Sequence, residues 1–445
     1  MRTRLLFFTL IGCLILPSVM AQSVAKDDKK MQNAKYRRSS IYTLMLDDAG
    51  LVKADTIKRS FESAPIPNKF DDHTLAIRSF RPADYPLTEA EKQTKKDNGV
   101  QSYGKGLLSN TTGGLVDTTN TKDLPQIIQK FFRTNQIPQQ LIAKWFNRDE
   151  NGNLNMNRIA ERGQYDATEM QASIAKSSAR GSALLSDAGE ELIGNTFVVI
   201  TRFKYVSKEE IMGAAKRGLS LLNKYGGQYG QLAAQVGSVA ADVASKGYVI
   251  QANSYLYKLT WNDSISSIFY QNYWMDANSN SPERKAAFDT TSLFSLELVG
   301  VDKAWADVQS SIFSKKSEEE LVRIATVKSI DAVIAKLQKE HDVFKTKTPL
   351  FDVTPLSAKI GLKEGIEKGD KYEVLEQTMN DLGKTKYVRK GVIKVDEQIW
   401  DNRYMAGEEL PTDSTSNVVS IPKVDRTLFK GGSNYYPGML IRQIK

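Results

Sequence analysis

The chain has 445 residues, room for two or three domains of ordinary size, and its 41% hydrophobic and 25% charged content is that of folded globular protein. One Cys and two His leave little material for a disulfide framework, thiol catalysis or a zinc site. The net charge of +9 is dispersed along the chain, so it suits an anionic envelope surface or plain solubility better than a nucleic-acid footprint.

The first residues read as an export signal. Arg2 and Arg4 precede an apolar run over 5–16, too short to span a bilayer, and Val19-Met20-Ala21 offers the small residues of a cleavage site. Cleavage after Ala21 removes two of 61 basic residues and none of 52 acids, leaving 59 against 52, or +7. Leu10-Ile11-Gly12-Cys13 resembles a lipobox, but Leu14-Ile15-Leu16 follow at once, so a lipid anchor at Cys13 is not expected. The densest basic patch, 26–38, then forms the new N-terminal tail.

The N-terminal region, 22–190, opens with a strand over 40–46 and a short helix over 55–61, with a second strand over 74–80. Residues 81–123 are polar loops. Asp123 is placed to cap a helix with Pro125 in its first turn, and Pro138 opens another helix carrying Leu141, Ile142, Trp145 and Phe146. A third helix runs over 167–188.

The central region, 191–310, reads as an antiparallel meander of four strands: 195–205, 247–261, 265–274 and 292–301. Aromatic residues occupy both faces, which points to a sheet covered on both sides or a wide one. Inserted over 207–246 is a helical hairpin with a Ser207-x-x-Glu210 capping box and no charge between Tyr225 and Ala241. Its small residues permit close approach to another helix, a subunit or a membrane.

The last region, 311–445, starts with a helix. Ser317-x-x-Glu320 forms a second capping box, and Ile330, Ile334, Leu337, His341 and Phe344 mark its apolar face. Over 355–404, Gly361, Gly365 and Gly369 fall every fourth residue before runs rich in Tyr, Val and Leu, and read as turn glycines of a small barrel. A polar loop over 411–425 and a last strand over 439–444 end the chain. The expected class is α+β: a central antiparallel meander with a helical-hairpin insertion, a helical block before it and a small barrel-like module after it.

Candidate chemistry is sparse. His341 lies on the apolar helix face and reads as a packed edge residue, whereas His73 follows Asp71-Asp72 in a turn. The run 147–158 has oxygen side chains at alternate positions and Gly152 at the sixth, as a calcium loop needs. It has Asn147 first and Arg158 where a bidentate Glu belongs, so an Asn-rich turn is expected. Gly226-Gly227-x-x-Gly230 lacks the Lys-Ser/Thr of a phosphate loop, and Glu190-Glu191 and Glu318 to Glu320 are acidic neighbours without demonstrated catalytic spacing. No catalytic, cofactor-binding or metal-ligating residue is assigned, and no cofactor is expected.

Ala358-Lys359-Ile360-Gly361-Leu362-Lys363-Glu364-Gly365, continuing through Gly369-Asp370-Lys371-Tyr372-Glu373-Val374-Leu375, resembles the small β-barrel that ends certain Gram-negative envelope proteins, such as the C-terminal module of flagellar assembly protein T. The whole chain is also similar to uncharacterised secreted envelope proteins of Gram-negative bacteria. The resemblance implies a scaffold or adaptor and supplies no catalytic residue. The expected function is that of a non-enzymatic structural or adaptor protein, periplasmic or associated with the outer membrane. Its expected partners are other envelope proteins or a membrane surface, met through 207–246, with homo-oligomerisation as a further option and nucleic acid excluded. The alternative is a secreted, carboxylate-dependent hydrolase acting on glycans.

Overall fold

The computed structural model describes residues 39–67, 69–93, 123–166, 191–207, 247–279, 281–309, 317–379, 385–402 and 424–444. The expected export signal with Cys13, the expected helix over 167–188, the expected hairpin insertion from 208 to 246 and nearly all of the expected loop over 411–425 lie outside them.

The fold is α+β. Its central sheet runs β2 (Phe70–Asp72), β1 (Ser39–Leu46), β4 (Thr196–Ser207), β5 (Gly247–Leu259), β6 (Leu296–Gln309), with β3 (Ser79–Phe80) also paired to β1. Strands β4, β5 and β6 are antiparallel neighbours, but β1 joins β4 in parallel, from Ser40 opposite Thr196 to Leu46 opposite Arg202. The sheet is therefore mixed, and the N-terminal strand shares a core with the central region.

Burial on both faces explains the near-continuous apolar runs. On one face, Tyr42, Leu44, Val198, Ile200 and Tyr257 meet helices α3 (Leu124–Thr134), α4 (Ile137–Trp145), α5 (Asn157–Asp166), α6 (Asp263–Asn272) and α7 (Pro282–Thr290). On the other, Ile41, Met45, Phe197, Val199 and Leu256 meet α1 (Ala54–Ser63) and α8 (Glu318–Glu340). A short helix, α2, spans Glu89–Gln93. Thr201 and Ser254 face each other across β4 and β5, and their buried hydroxyls satisfy each other at 2.7 Å.

The expected strand over 265–274 is helix α6 instead. Asn262 turns the chain, but as a helix cap: its Oδ1 accepts the Ile265 N–H at 3.0 Å. Ile265 and Phe269 then stand four residues apart on one face, and Phe269 is fully buried among aromatic rings. The expected strand over 74–80 shrinks to the two residues of β3, and His73 before it keeps its backbone N–H on the Ile41 carbonyl of β1 at 2.9 Å. Asp123 precedes α3 as expected, yet its side chain makes no capping bond, since its backbone is already helical.

Helix α8 begins where its capping box places it, with Ser317 Oγ accepting the Glu320 N–H at 3.2 Å. Glu318 pairs with Lys53 at 3.0 Å and Glu319 with Arg59, tying α8 to α1. Beyond it, β7 (Thr348–Val353), β8 (Leu356–Ala358), β9 (Lys371–Met379), β10 (Thr385–Val395), β11 (Thr427–Lys430) and β12 (Leu440–Ile444) close into a barrel in the order β10-β11-β8-β7-β12-β9. Leu350, Val374, Ile393, Val395 and Ile441 fill it.

The three glycines differ in cause. Gly365 and Gly369 have φ of 70° and 89°, the left-handed conformation expected of turn glycines. Gly361 is extended at φ −153°. There a Cβ would collide with the backbone carbonyl of Trp400 and the side chain of Asn402, while the Gly361 N–H donates to Glu364 at 2.7 Å. Gly361→Ala is expected to cost about 2 kcal/mol, since a backbone atom cannot yield cheaply. Gly369→Ala, with open space around it, is expected to cost about 1 kcal/mol from φ strain alone. Urea unfolding of both variants checks the order; equal losses would show that Gly361 is not a close-approach site.

Candidate functional site

The two histidines take structural positions. His73 is fully buried, not in an exposed turn: its Nε2 lies 3.0 Å from the Leu141 carbonyl and its ring stacks on Trp145 with centroids 5.0 Å apart. Burial pushes its pKa down to about 3, so the ring is neutral and donates from Nε2. His341 caps the C-terminus of α8, with its N–H bonded to the Leu337 carbonyl. Its Nε2 lies 2.9 Å from Asp302 Oδ2 on β6, and its ring fills the space that a side chain at Gly300 would need. That contact joins helix to strand.

The oxygen-rich run over 147–158 is internally bonded. Asp149 accepts from the Asn153 backbone at 2.8 Å and from its side-chain amide at 2.9 Å, and Arg158 reaches Asp71 at 3.1 Å. The Lys285 stem lies over Gly152. Among the described residues no group of three or more His, Cys, Asp or Glu side chains could hold a metal ion. Glu318 and Glu319 are engaged at the start of α8; Glu190 and Gly226 to Gly230 lie outside the described residues.

What the fold does assemble is a cationic cavity of about 210 Å³ at the seam between sheet and barrel. Its sheet side is the start of β1 and β4, at Ser39 and Asn195, with Lys258 from the end of β5. The turn after α8 adds Asp342, Lys345 and Lys347, and β12 of the barrel adds Arg442. Four cations thus face one carboxylate. The C-terminus of α8 favours cations nearby, which suits Lys345 and Lys347 locally.

Three of the four cations are held in different ways. Lys345 has a side chain only 6% exposed, and its Nζ bonds Asp342 at 2.7 Å, whereas Asp342 is 81% exposed. Lys347 Nζ stands 4.3 Å from the centre of the Tyr387 ring, a cation–π contact with β10. Arg442 donates from Nε to Glu373 at 2.6 Å, across the β9–β12 pairing. Neither histidine is among the described residues that line the cavity, and Asp342 is the one carboxylate among them.

In the sequence these residues are scattered from Ser39 to Arg442. The one local signal was Lys345-Thr346-Lys347 directly after a helix end. No known family model matches the chain, and no curated protein is significantly similar to it.

The buried His73 sets a pH dependence. Its folded pKa lies below the unfolded value near 6.5, so the unfolded chain binds the proton first and stability falls as pH drops from about 6.5 toward 3. The expected slope from this residue is up to about 1.4 kcal/mol per pH unit. His73→Gln keeps a donor for Leu141 and cannot titrate. Denaturation of both proteins between pH 7 and 4 is expected to show the wild type losing its advantage; identical pH profiles would refute the assignment.

Proposed function

We propose that the protein is a non-enzymatic structural or adaptor protein of the bacterial cell envelope, exported by residues 1–21 and resident in the periplasm or at the outer membrane. The observation that carries this reading is the seam cavity: its four cations and one already-bonded carboxylate suit holding a partner, not turning over a substrate. A glycan hydrolase of the retaining or inverting kind needs two carboxyl groups about 5–10 Å apart. Among the described residues the cavity supplies Asp342 alone.

The finer architecture belongs to the same reading. The expected helical insertion over 207–246, with no charge between Tyr225 and Ala241, serves in this reading as the surface for envelope partners, a membrane face or a second copy. The terminal barrel serves as a docking module, in line with the resemblance at 358–375. No helix among the described residues is long and apolar enough to cross a membrane.

Crosslinking in intact cells, followed by purification of the full chain, tests the proposal. Envelope proteins are expected in the crosslinked fraction, reduced at least several-fold when 207–246 is replaced by a short Gly-Ser linker. A monomer recovered without partners, or release of reducing sugar from cell-wall glycan by the pure protein, overturns it.

A further inference from the structure

The geometry of the seam cavity points to a binding site for a compact oxyanion of the phosphate class, in which Lys345 is the central cation and Asp342 is a carboxylate that the incoming anion displaces. We infer this from an asymmetry in the Lys345–Asp342 pair. The ammonium belongs to a side chain 6% exposed, whereas its carboxylate partner stands 81% in solvent. An exposed carboxylate reaching inward to a buried cation is a weak competitor, because its own hydration and side-chain freedom favour leaving. The buried ammonium, by contrast, requires an anion beside it, since burial penalises an uncompensated charge.

The surroundings fit a second and third contact. Lys258 and Lys347 line the same cavity from the sheet and from the segment leading into the barrel. Lys347 is steadied by the Tyr387 ring. Arg442 remains bonded to Glu373 and adds field more than a direct contact. A tetrahedral oxyanion carries several acceptor oxygens and close to two charges near neutral pH, so it can take hydrogen bonds from more than one ammonium at once, which a single carboxylate does less well. A cavity of about 210 Å³ holds such a group with its hydration and leaves room for little more. The walls come from the sheet, the turn after α8 and the barrel, so occupancy links the two modules. This inference rests on the binding reading of the cavity, but not on where the protein resides.

The same chemistry reaches the cavity as a free phosphate or as a phosphomonoester headgroup on a lipid. Calorimetric titration of the full chain with inorganic phosphate tests the first source, and flotation with phosphatidic acid against phosphatidylcholine vesicles tests the second. Submillimolar phosphate binding is expected, weakened at least fivefold in Lys345→Met and Lys347→Ala, and tightened at least twofold in Asp342→Asn. Circular dichroism melting shows that each variant is folded. If Lys345→Met does not fold, Asp342→Asn and Lys347→Ala decide by themselves. Lipid binding that requires Lys345, without binding of free phosphate, places the source in a headgroup and supports the site. Binding in neither arm, or binding equal in all variants, overturns it. Failure of the crosslinking experiment with retained phosphate binding counts against the envelope reading alone.

Discussion

Helix α8 is the piece on which both halves of the molecule are assembled. One side buries Leu321, Val322, Ala325, Val333, Ile334 and Leu337 against the sheet. The barrel meets the helix elsewhere: the turn at Leu362–Glu364 packs on it, with Lys363 Nζ 4.0 Å from Asp331 and the Gly365 backbone close to Ala335. A helix 23 residues long is rigid over about 35 Å, so it transmits the position of one module to the other. The cavity lies just past its C-terminus for that reason.

The join is polar, and its centre is Lys69. This residue is 8% exposed, and burial lowers its pKa, while the charges of Glu364 and Asp331 act in the opposite direction. Glu364 is itself fixed, accepting from the Gly361 backbone and from Asn402 at 2.8 Å. Buried ionic clusters contribute less to net stability than an apolar seam of the same size, but breaking one is costly and they select a single geometry. Here they orient the 361–364 turn on α8. The Gly361 close approach to Trp400 serves the same turn from inside the barrel.

Much of this was legible in the chain itself, for reasons that are local. The strand at β1 was visible because Ile41, Tyr42, Leu44, Met45 and Leu46 are apolar on both faces, and both faces are covered. The start of α8 was visible because Ser317 stands three residues before Glu320, whose backbone N–H its Oγ accepts. Misreadings came where a local signal has two outcomes. Asn262-Asp263-Ser264 suits a hairpin turn or a helix cap, and only the aromatic pocket around Phe269 selects the cap. Gly361 looked like its neighbours Gly365 and Gly369, although its cause is a carbonyl 39 residues away. His73 looked like a turn residue beside two aspartates, yet Trp145 and Leu141 draw it into the core.

The candidate site was illegible for a stronger reason. Lys258 reaches it because β5 runs antiparallel to β4 and ends where β4 begins; Arg442 reaches it because β12 pairs with β9 across from Glu373. Neither fact is encoded near the residue concerned. A catalytic motif is recognisable when one loop carries several of its members, as in a phosphate loop. A cavity walled by two modules has no such loop, and its cations look like ordinary solvated lysines until the fold gathers them. That is also why the dispersed positive charge of the chain understated its local effect: a modest net charge, evenly spread in sequence, becomes four cations around one carboxylate once sheet and barrel are set on the same helix.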